Sequence, residues 1–153
     1  MSFTDKCVIF LATGFYSGKA PFVPGTFGTV VGLIFCFFLS KVGTAMIIPC
    51  LLLVIFLSIL IAHKAESLLG SKDPGEIVID EITGILITMA GLPFTTVNVI
   101  AGFILFRVLD IVKPFPIRFL EQKIPGGAGI VMDDVAAGIM AGILLRISLY
   151  CLS

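Results

Sequence analysis

Long apolar stretches separated by short polar ones restrict the fold of this chain more than any other feature. Hydrophobic amino acids make up 58% of its 153 residues and charged ones only 13%. Soluble domains have about 45–50% and about 25%, respectively. Because so few charges cannot solvate a water-facing surface, we expect lipid to cover much of the protein. The length predicts a single domain over residues 1–153.

The apolar stretches pair along the chain. Two pairs are each joined by a short turn that contains glycine, and a fifth stretch follows: residues 30–39 with 45–62, residues 82–90 with 97–106, and residues 135–152. An apolar stretch that turns and returns predicts a helical hairpin. We therefore predict an all-α, membrane-embedded helical bundle built from two apolar helical hairpins plus a C-terminal helix.

Three polar stretches connect these elements, at residues 13–29, 63–81 and 107–134. Since each hairpin returns the chain to the side from which it started, all three polar stretches should lie on one face. Most lysines and arginines fall within them, whereas Lys41 and Arg146 fall outside. The positive-inside rule then predicts that the polar face is cytoplasmic.

The lengths of the stretches leave the depth of insertion open. A full span needs about 20 apolar residues, and only residues 45–62 and the last helix approach that length. The two shorter arms span only if their helices include neighbouring polar residues, and shallow or re-entrant insertion is the alternative. The apolar run at residues 7–13 is too short for a signal peptide, so we expect it to remain in the mature protein.

Acidic residues gather at positions 73–81, directly before an apolar stretch. Glu76 and Asp80 are four residues apart, so a helix would place them on one face. Charges at a membrane-embedded helix end are costly, which favours a functional role for Asp80 and Glu81. A solvated helix start, stabilised by the helix dipole, is the alternative.

A second cluster contains Arg107, Asp110 and Lys113, each three residues from the next. On a helix these residues form one stripe, which suits an anionic group held beside a metal ion. The carboxylate would ligate the metal while the two cations hold phosphate oxygens. A stripe of salt bridges that satisfy one another is the alternative.

Glycine-rich segments accompany the remaining candidates. Glycines at positions 126, 127 and 129 allow close approach to a ligand and precede Asp133 and Asp134, which either bind that ligand or simply start the last helix. Near the N-terminus, residues 24–29 form a Pro-Gly loop that could cradle phosphate with backbone N–H groups and the Thr26 hydroxyl.

Hard oxygen donors therefore dominate, whereas clustered histidines and Cys-x-x-Cys pairs are absent from the sequence. This donor set favours Mg²⁺ over zinc or iron. No basic run indicates binding to nucleic acid. Acids, a few cations and glycine loops beside lipid together predict phosphoryl chemistry on a lipid head group.

Four segments, in order along nearly the whole chain, resemble the bacterial phosphatidylglycerophosphatase A family. They are residues 24–29, residues 77–81 with Gly84, residues 106–114 with 116–117, and residues 126–134 with 137–138. Leu109 and Phe115 stand where the family often has Phe and Trp. Neither change removes a charged group, so the predicted chemistry is unaffected.

The resemblance implies an all-helical, Mg²⁺-dependent phosphatase of the bacterial inner membrane with its active face toward the cytoplasm. Its substrate would be phosphatidylglycerophosphate, and its products phosphatidylglycerol and phosphate. The expected metal ligands are Asp80, Glu81, Asp133 and Asp134. Catalysis would use Asp80, Arg107, Asp110 and Lys113, and the substrate would contact Gly25, Thr26, Gly28, Gly127 and Gly129.

Two other classes of protein are alternatives to this phosphatase. A lipid phosphotransferase of the CDP-alcohol type would also use carboxylates and Mg²⁺, but its D-G-x-x-A-R run is absent from the sequence. A small ion transporter would place its acids at mid-membrane, whereas the acids here stand at the ends of apolar stretches.

Overall fold

The computed structural model describes residues 1–152, which contain seven α-helices, one 3₁₀ helix and no strand. The predicted all-α class is confirmed. In chain order the elements are α1 Phe3–Ala12, the 3₁₀ helix Ser17–Lys19, α2 Pro24–Leu39, α3 Thr44–Leu69, α4 Ile79–Met89, α5 Thr96–Val112, α6 Ile117–Lys123 and α7 Gly126–Leu152.

α7 lies at the centre of the bundle. It packs against α3, α4, α5 and α6, while α2 packs on α4 and α1 on α3. α7 and α4 approach most closely at Gly138, where an added Cβ would collide with the Gly84 carbonyl oxygen. Only glycine permits two helix backbones to come this close. The buried side chains of Ile85, Phe106 and Leu145 fill the core in the same part of the bundle.

The expected hairpin of α2 and α3 is not confirmed. Only residues 40–43 link the two helices, yet within the described residues α2 packs chiefly on α4 and α3 packs chiefly on α7. By contrast, α4 and α5 do contact each other after the turn at residues 90–95. A short link therefore does not decide which apolar faces meet.

Two helices begin earlier than the sequence predicts. α2 starts at Pro24, whose fixed φ suits the first position of a helix, so the predicted loop at residues 24–29 is helical. α7 starts at Gly126 and has no acid in its first turn, so Asp133 and Asp134 lie inside the helix. The interpretation of this acid pair as a helix start is therefore wrong.

Two helices, Thr44–Leu69 and Gly126–Cys151, are long and apolar enough to cross a membrane. α4 has only 11 residues, a length of about 16 Å. It stays below span length even though it includes Asp80 and Glu81. The two long apolar helices suggest association with a membrane, in which α4 is a short helix supported by its neighbours.

Candidate active site

One cleft of about 410 Å³ contains residues from all three polar stretches. The start of α2, the segment that leads into α4, the end of α5 and the first half of α7 form its walls. Nine of the predicted site residues line it: Gly25, Thr26, Asp80, Glu81, Arg107, Asp110, Lys113, Asp133 and Asp134.

Asp80, Glu81 and Asp134 form a carboxylate cluster in which one oxygen from each residue lies within 4.8 Å of the others. The first turn of α4 provides two of these residues and the interior of α7 the third. Three of their oxygens, Asp80 Oδ1, Glu81 Oε2 and Asp134 Oδ2, are buried and accept no hydrogen bond within the described part of the chain.

Buried carboxylates this close to one another are unfavourable unless protons or a cation neutralise them. Hard oxygen donors are the ligands that Mg²⁺ prefers, and the unpaired oxygens of Asp80, Glu81 and Asp134 are therefore free to bind it. The residues present fit the predicted cofactor.

Asp80 stands at the start of α4, outside the two apolar helices that are long enough to span a membrane. Its burial raises the pKa of the Asp80 carboxyl well above the ordinary value, and the charges of Glu81 and Asp134 raise it further. A divalent cation among these groups would favour the ionised carboxylate instead. Protons and metal ions should therefore compete for this site.

Arg107 on α5 faces the carboxylate cluster. Its Nη1 lies 2.6 Å from Asp110 Oδ2 and 3.9 Å from Glu81 Oε1, while its buried Nε donates no hydrogen bond within the described residues. Gly25 leaves the necessary room, because a Cβ at that position would collide with Glu81 Oε1. The arrangement fixes the guanidinium group at the wall of the cleft, where its positive charge can face an anionic substrate.

Lys113 follows α5 in a left-handed backbone conformation, with φ of 46°. Its Nζ lies 2.6 Å from Asp133 Oδ2 and 2.8 Å from Glu121 Oε1. Partial burial lowers the pKa of Lys113, but the hydrogen bonds to these two carboxylates outweigh it and raise that pKa above the usual value. The ammonium group is therefore charged and occupied by Asp133 and Glu121.

Asp133 and Asp134 consequently have different partners. Successive helical residues point about 100° apart, so Asp134 faces Asp80 and Glu81 while Asp133 faces Lys113. Asp133 also accepts a hydrogen bond from the Asp134 backbone N–H at 3.0 Å. Of the four predicted metal ligands, the structure brings three together and places Asp133 beside them.

Three predicted substrate-binding glycines lie at close packing contacts outside the cleft. Gly28 packs against Val78, Gly127 packs against the α3 backbone, and Gly129 packs against the Ile124 carbonyl group. Gly129 also lines a neighbouring polar cavity of about 420 Å³. At the start of α2, the Thr26 N–H donates to the Val23 carbonyl at 2.9 Å, so it is not free to bind phosphate.

Two further acidic residues belong to the site although they are not among the predicted metal ligands or catalytic residues. Asp73 lines the cleft, and its position in the acidic segment was the available signal. Glu121 on α6 binds Lys113, but no helical spacing relates the two residues, because prolines at positions 114 and 116 separate their helices. Only the path of the chain after α5 brings them together.

Comparison with known proteins identifies the family. The model of the phosphatidylglycerophosphatase A family matches residues 10–149. The chain is 39% identical over 136 residues to phosphatidylglycerophosphatase A of Escherichia coli (strain K12), covering 88% of this chain and 79% of that protein. It is also 39% identical over 137 residues to phosphatidylglycerophosphatase A of Haemophilus influenzae, covering 88% and 84%.

A third relative is a Bacteroides thetaiotaomicron protein named as a candidate phosphatidylinositol-3-phosphatase. It is 38% identical over 148 residues, which cover 92% of each chain. No solved structure matches. The family match spans every residue that lines the cleft. The chain therefore belongs to the phosphatidylglycerophosphatase A family, and it is a phosphatase.

Proposed function

We propose that the protein is an Mg²⁺-dependent phosphatase that hydrolyses phosphatidylglycerophosphate to phosphatidylglycerol and inorganic phosphate. The observation that carries this proposal is the carboxylate cluster of Asp80, Glu81 and Asp134, which faces Arg107 in one cleft. The names of the Escherichia coli and Haemophilus influenzae relatives supply the lipid substrate.

Asp80, Glu81 and Asp134 would hold the metal through their unpaired oxygens. When bound there, Mg²⁺ would polarise the phosphomonoester and lower the pKa of a bound water molecule. Asp133, which the sequence grouped with the ligands, is better assigned to positioning Lys113, since their salt bridge is 2.6 Å long.

Arg107, which lines the cleft, would bind a phosphate oxygen through its guanidinium group and stabilise the negative charge that builds up in the transition state. Asp110 orients this guanidinium group through the 2.6 Å hydrogen bond to Nη1. Lys113 adds positive charge on the wall formed by the end of α5. The proposal therefore keeps Arg107, Asp110 and Lys113 as the residues that act in catalysis.

The proposed location is the cytoplasmic face of the bacterial inner membrane. Charge distribution along the chain supports this orientation, because most cations lie in the polar stretches that form the cleft. α3 and α7 support membrane association through their length and composition. The product phosphatidylglycerol would keep its acyl chains in the same leaflet and leave laterally.

Phosphate release by purified protein in detergent tests the proposal. Phosphatidylglycerophosphate should be hydrolysed with Mg²⁺ and not after EDTA is added. Phosphatidylinositol 3-phosphate is the comparison substrate, because the name of the Bacteroides thetaiotaomicron relative points to it. Preference for the inositol lipid, or release that persists in EDTA, would contradict the proposed substrate or the proposed metal.

An Asp80→Asn variant makes the test specific to the site. We expect it to fold and to lose turnover, because a neutral amide is a poorer ligand for Mg²⁺. Glu76→Gln is the matched control, since Glu76 lies in the same acidic segment but is exposed and outside the cleft. Full activity of Asp80→Asn would rule out the assigned metal site. The family match already favours a phosphatase over a phosphotransferase or a transporter.

A further inference from the structure

We propose that the acyl chains of the lipid substrate lie on the apolar surface between α2 and α5. Val23 and Ile111 would form the entrance through which the phosphorylated head group reaches the cleft. This inference rests on the proposed function, which makes the substrate a lipid. It adds the path by which that lipid reaches the carboxylate cluster.

The first half of this surface is an exposed stripe on α5. Its members follow one another at spacings of three or four residues, so they share one helix face. Their exposed fractions range from 52% to 70%, and they are Val97, Ile100, Ile104, Val108 and Ile111. Ile111, the last of them, also lines the cleft. The α5 stripe therefore runs along the helix and ends at the site.

A matching stripe lies on α2. Its members on the helix are again three or four residues apart, with exposed fractions from 48% to 58%, and they are Phe27, Val30 and Ile34. Val23, which immediately precedes α2, is 62% exposed and lines the cleft. α2 begins at the cleft and α5 ends there, so both stripes lead away from the same opening.

The two stripes flank one surface because α2 and α5 are neighbours supported by α4. Both helices pack on α4 and contact each other only slightly. At the cleft, Gly25 of α2 lies beside Arg107 of α5. At the opposite end of α2, the rings of Phe37 and Phe94 are 5.5 Å apart, which places α2 beside the turn that precedes α5.

Another part of the rim of the cleft is polar. Asp73 lines both the cleft and the neighbouring cavity of about 420 Å³, which also contains Glu66, Lys72 and Glu121. The site therefore has an apolar side and a hydrophilic side. The lipid substrate would place its phosphate at the carboxylate cluster and its acyl chains against the two stripes, where burial of apolar surface is favourable.

The exposed apolar surface of α3 does not reach the site. α3 presents large side chains such as Leu53 and Phe56, exposed at 57% and 58%. Within the described residues, however, no residue of α3 lines the cleft. Since lipid would also cover α3, apolar exposure alone does not single out the α2–α5 surface. Its continuity with the cleft is what distinguishes it.

Two substrates and two matched double variants test the inference. Phe27→Gln/Val108→Gln changes one residue of each stripe outside the cleft, and Leu53→Gln/Phe56→Gln makes the equivalent change on α3. Each variant is assayed with long-chain phosphatidylglycerophosphate in micelles and with its deacylated head group. The α2–α5 variant should lower kcat/KM for the lipid about tenfold more than for the head group. The α3 variant should change the two values equally.

Equal losses on both substrates in the α2–α5 variant would overturn the proposed path, as would an α3 variant with the same selective loss. Failure of the unmodified protein to hydrolyse either substrate would instead overturn the proposed function on which the path rests.

Photocrosslinking provides a measurement that needs no variant. A substrate analogue with a photoreactive group in its acyl chain should label peptides from residues 23–38 and 97–112 of the unmodified protein. Labelling confined to α3, or spread equally over all exposed apolar helices, would refute the assignment.

Discussion

α3 and α7 are the two helices long and apolar enough to cross a membrane, but they differ in what surrounds them. Only 17% of the most apolar stretch of α3 is buried in the bundle, compared with 61% for α7. α3 therefore presents most of its side chains outward, whereas α7 is the central helix on which four others pack. Two helices of similar length therefore occupy opposite positions in the fold.

The side chains explain this difference. α7 places small residues, Ala137, Gly138 and Ala141, at its buried contacts, and small residues allow helices to approach closely in apolar surroundings. α3 is rich in exposed large residues such as Leu52 and Leu60. A helix that must be packed on several sides needs small residues, while a helix that faces lipid can be uniformly large and apolar.

Removing the carboxylate of Asp134 from α7, the central helix, should have the largest effect on activity. Asp134→Asn should lower phosphate release about 10³-fold or more, because it removes a ligand of the metal that stabilises the transition state. Ser58→Ala is the counterpart on α3. Ser58 is buried, and its hydroxyl forms a 2.8 Å hydrogen bond with the Thr83 hydroxyl. Neither residue lines the cleft. The Ser58→Ala variant should retain most activity. Comparable losses in both variants would remove the distinction between the two helices.

The same leucine-to-alanine change should distinguish the helices by stability. Leu145 on α7 is 1% exposed, so Leu145→Ala should lower the free energy of unfolding by about 2–5 kcal/mol. Leu60 on α3 is 51% exposed, so Leu60→Ala should change it by less than about 0.5 kcal/mol. Denaturant titration in detergent, followed by circular dichroism, measures both values. Equal losses would mean that α3 is packed in solution.

A methyl group at the close contact between α4 and α7 should have a smaller effect. Gly138→Ala would force α7 away from the Gly84 carbonyl oxygen, at a cost of about 1–3 kcal/mol in unfolding free energy. Gly43→Ala before α3 is the control, since no atom lies within 4 Å of the added Cβ. That control should change the same quantity by less than about 0.5 kcal/mol. A silent Gly138→Ala would show that α4 and α7 are not in close contact.

The smallest expected effect concerns pH. Because the pKa of Asp80 is raised in the absence of metal, protons compete with Mg²⁺ at low pH and the apparent Mg²⁺ affinity should rise with pH. The rise is at most about tenfold per pH unit for each proton displaced, and it ends once the carboxyl is ionised. Thermal stabilisation by Mg²⁺ in a series of buffers measures it. An affinity that falls as pH rises would contradict the assignment of Asp80 as a ligand.

Several parts of the site could be predicted from the sequence. The spacing of Arg107 and Asp110 correctly predicted that these two side chains meet on one face near the end of a helix. The predicted continuation of this stripe to Lys113 is wrong, because Lys113 follows α5 in a left-handed conformation. The position of Asp80 and Glu81 before an apolar stretch correctly predicted the start of α4. These predictions succeed because helical spacing and the boundary of an apolar stretch are local properties of the chain.

Other parts could not be predicted. Gly28 and Gly127 resemble ligand-binding glycines in sequence but lie at helix contacts, since close approach to a ligand and close approach to a helix require the same residue. The pairing of Asp133 with Lys113 depends on how α5 and α7 are oriented. The partners of α2 and α3 likewise depend on which apolar faces match, and the short link between them did not settle this.

The sequence by itself determined an all-helical, strongly apolar protein with acids, cations and glycines collected in three polar stretches, because composition and periodicity act within each segment. Only the tertiary structure decided which three carboxylates share one space, which aspartate pairs with Lys113, and which apolar stripes lead to the cleft. The physical reason is that these contacts join residues far apart in the chain. Their geometry is set by the packing of α2, α4 and α5 around α7, which no single segment encodes.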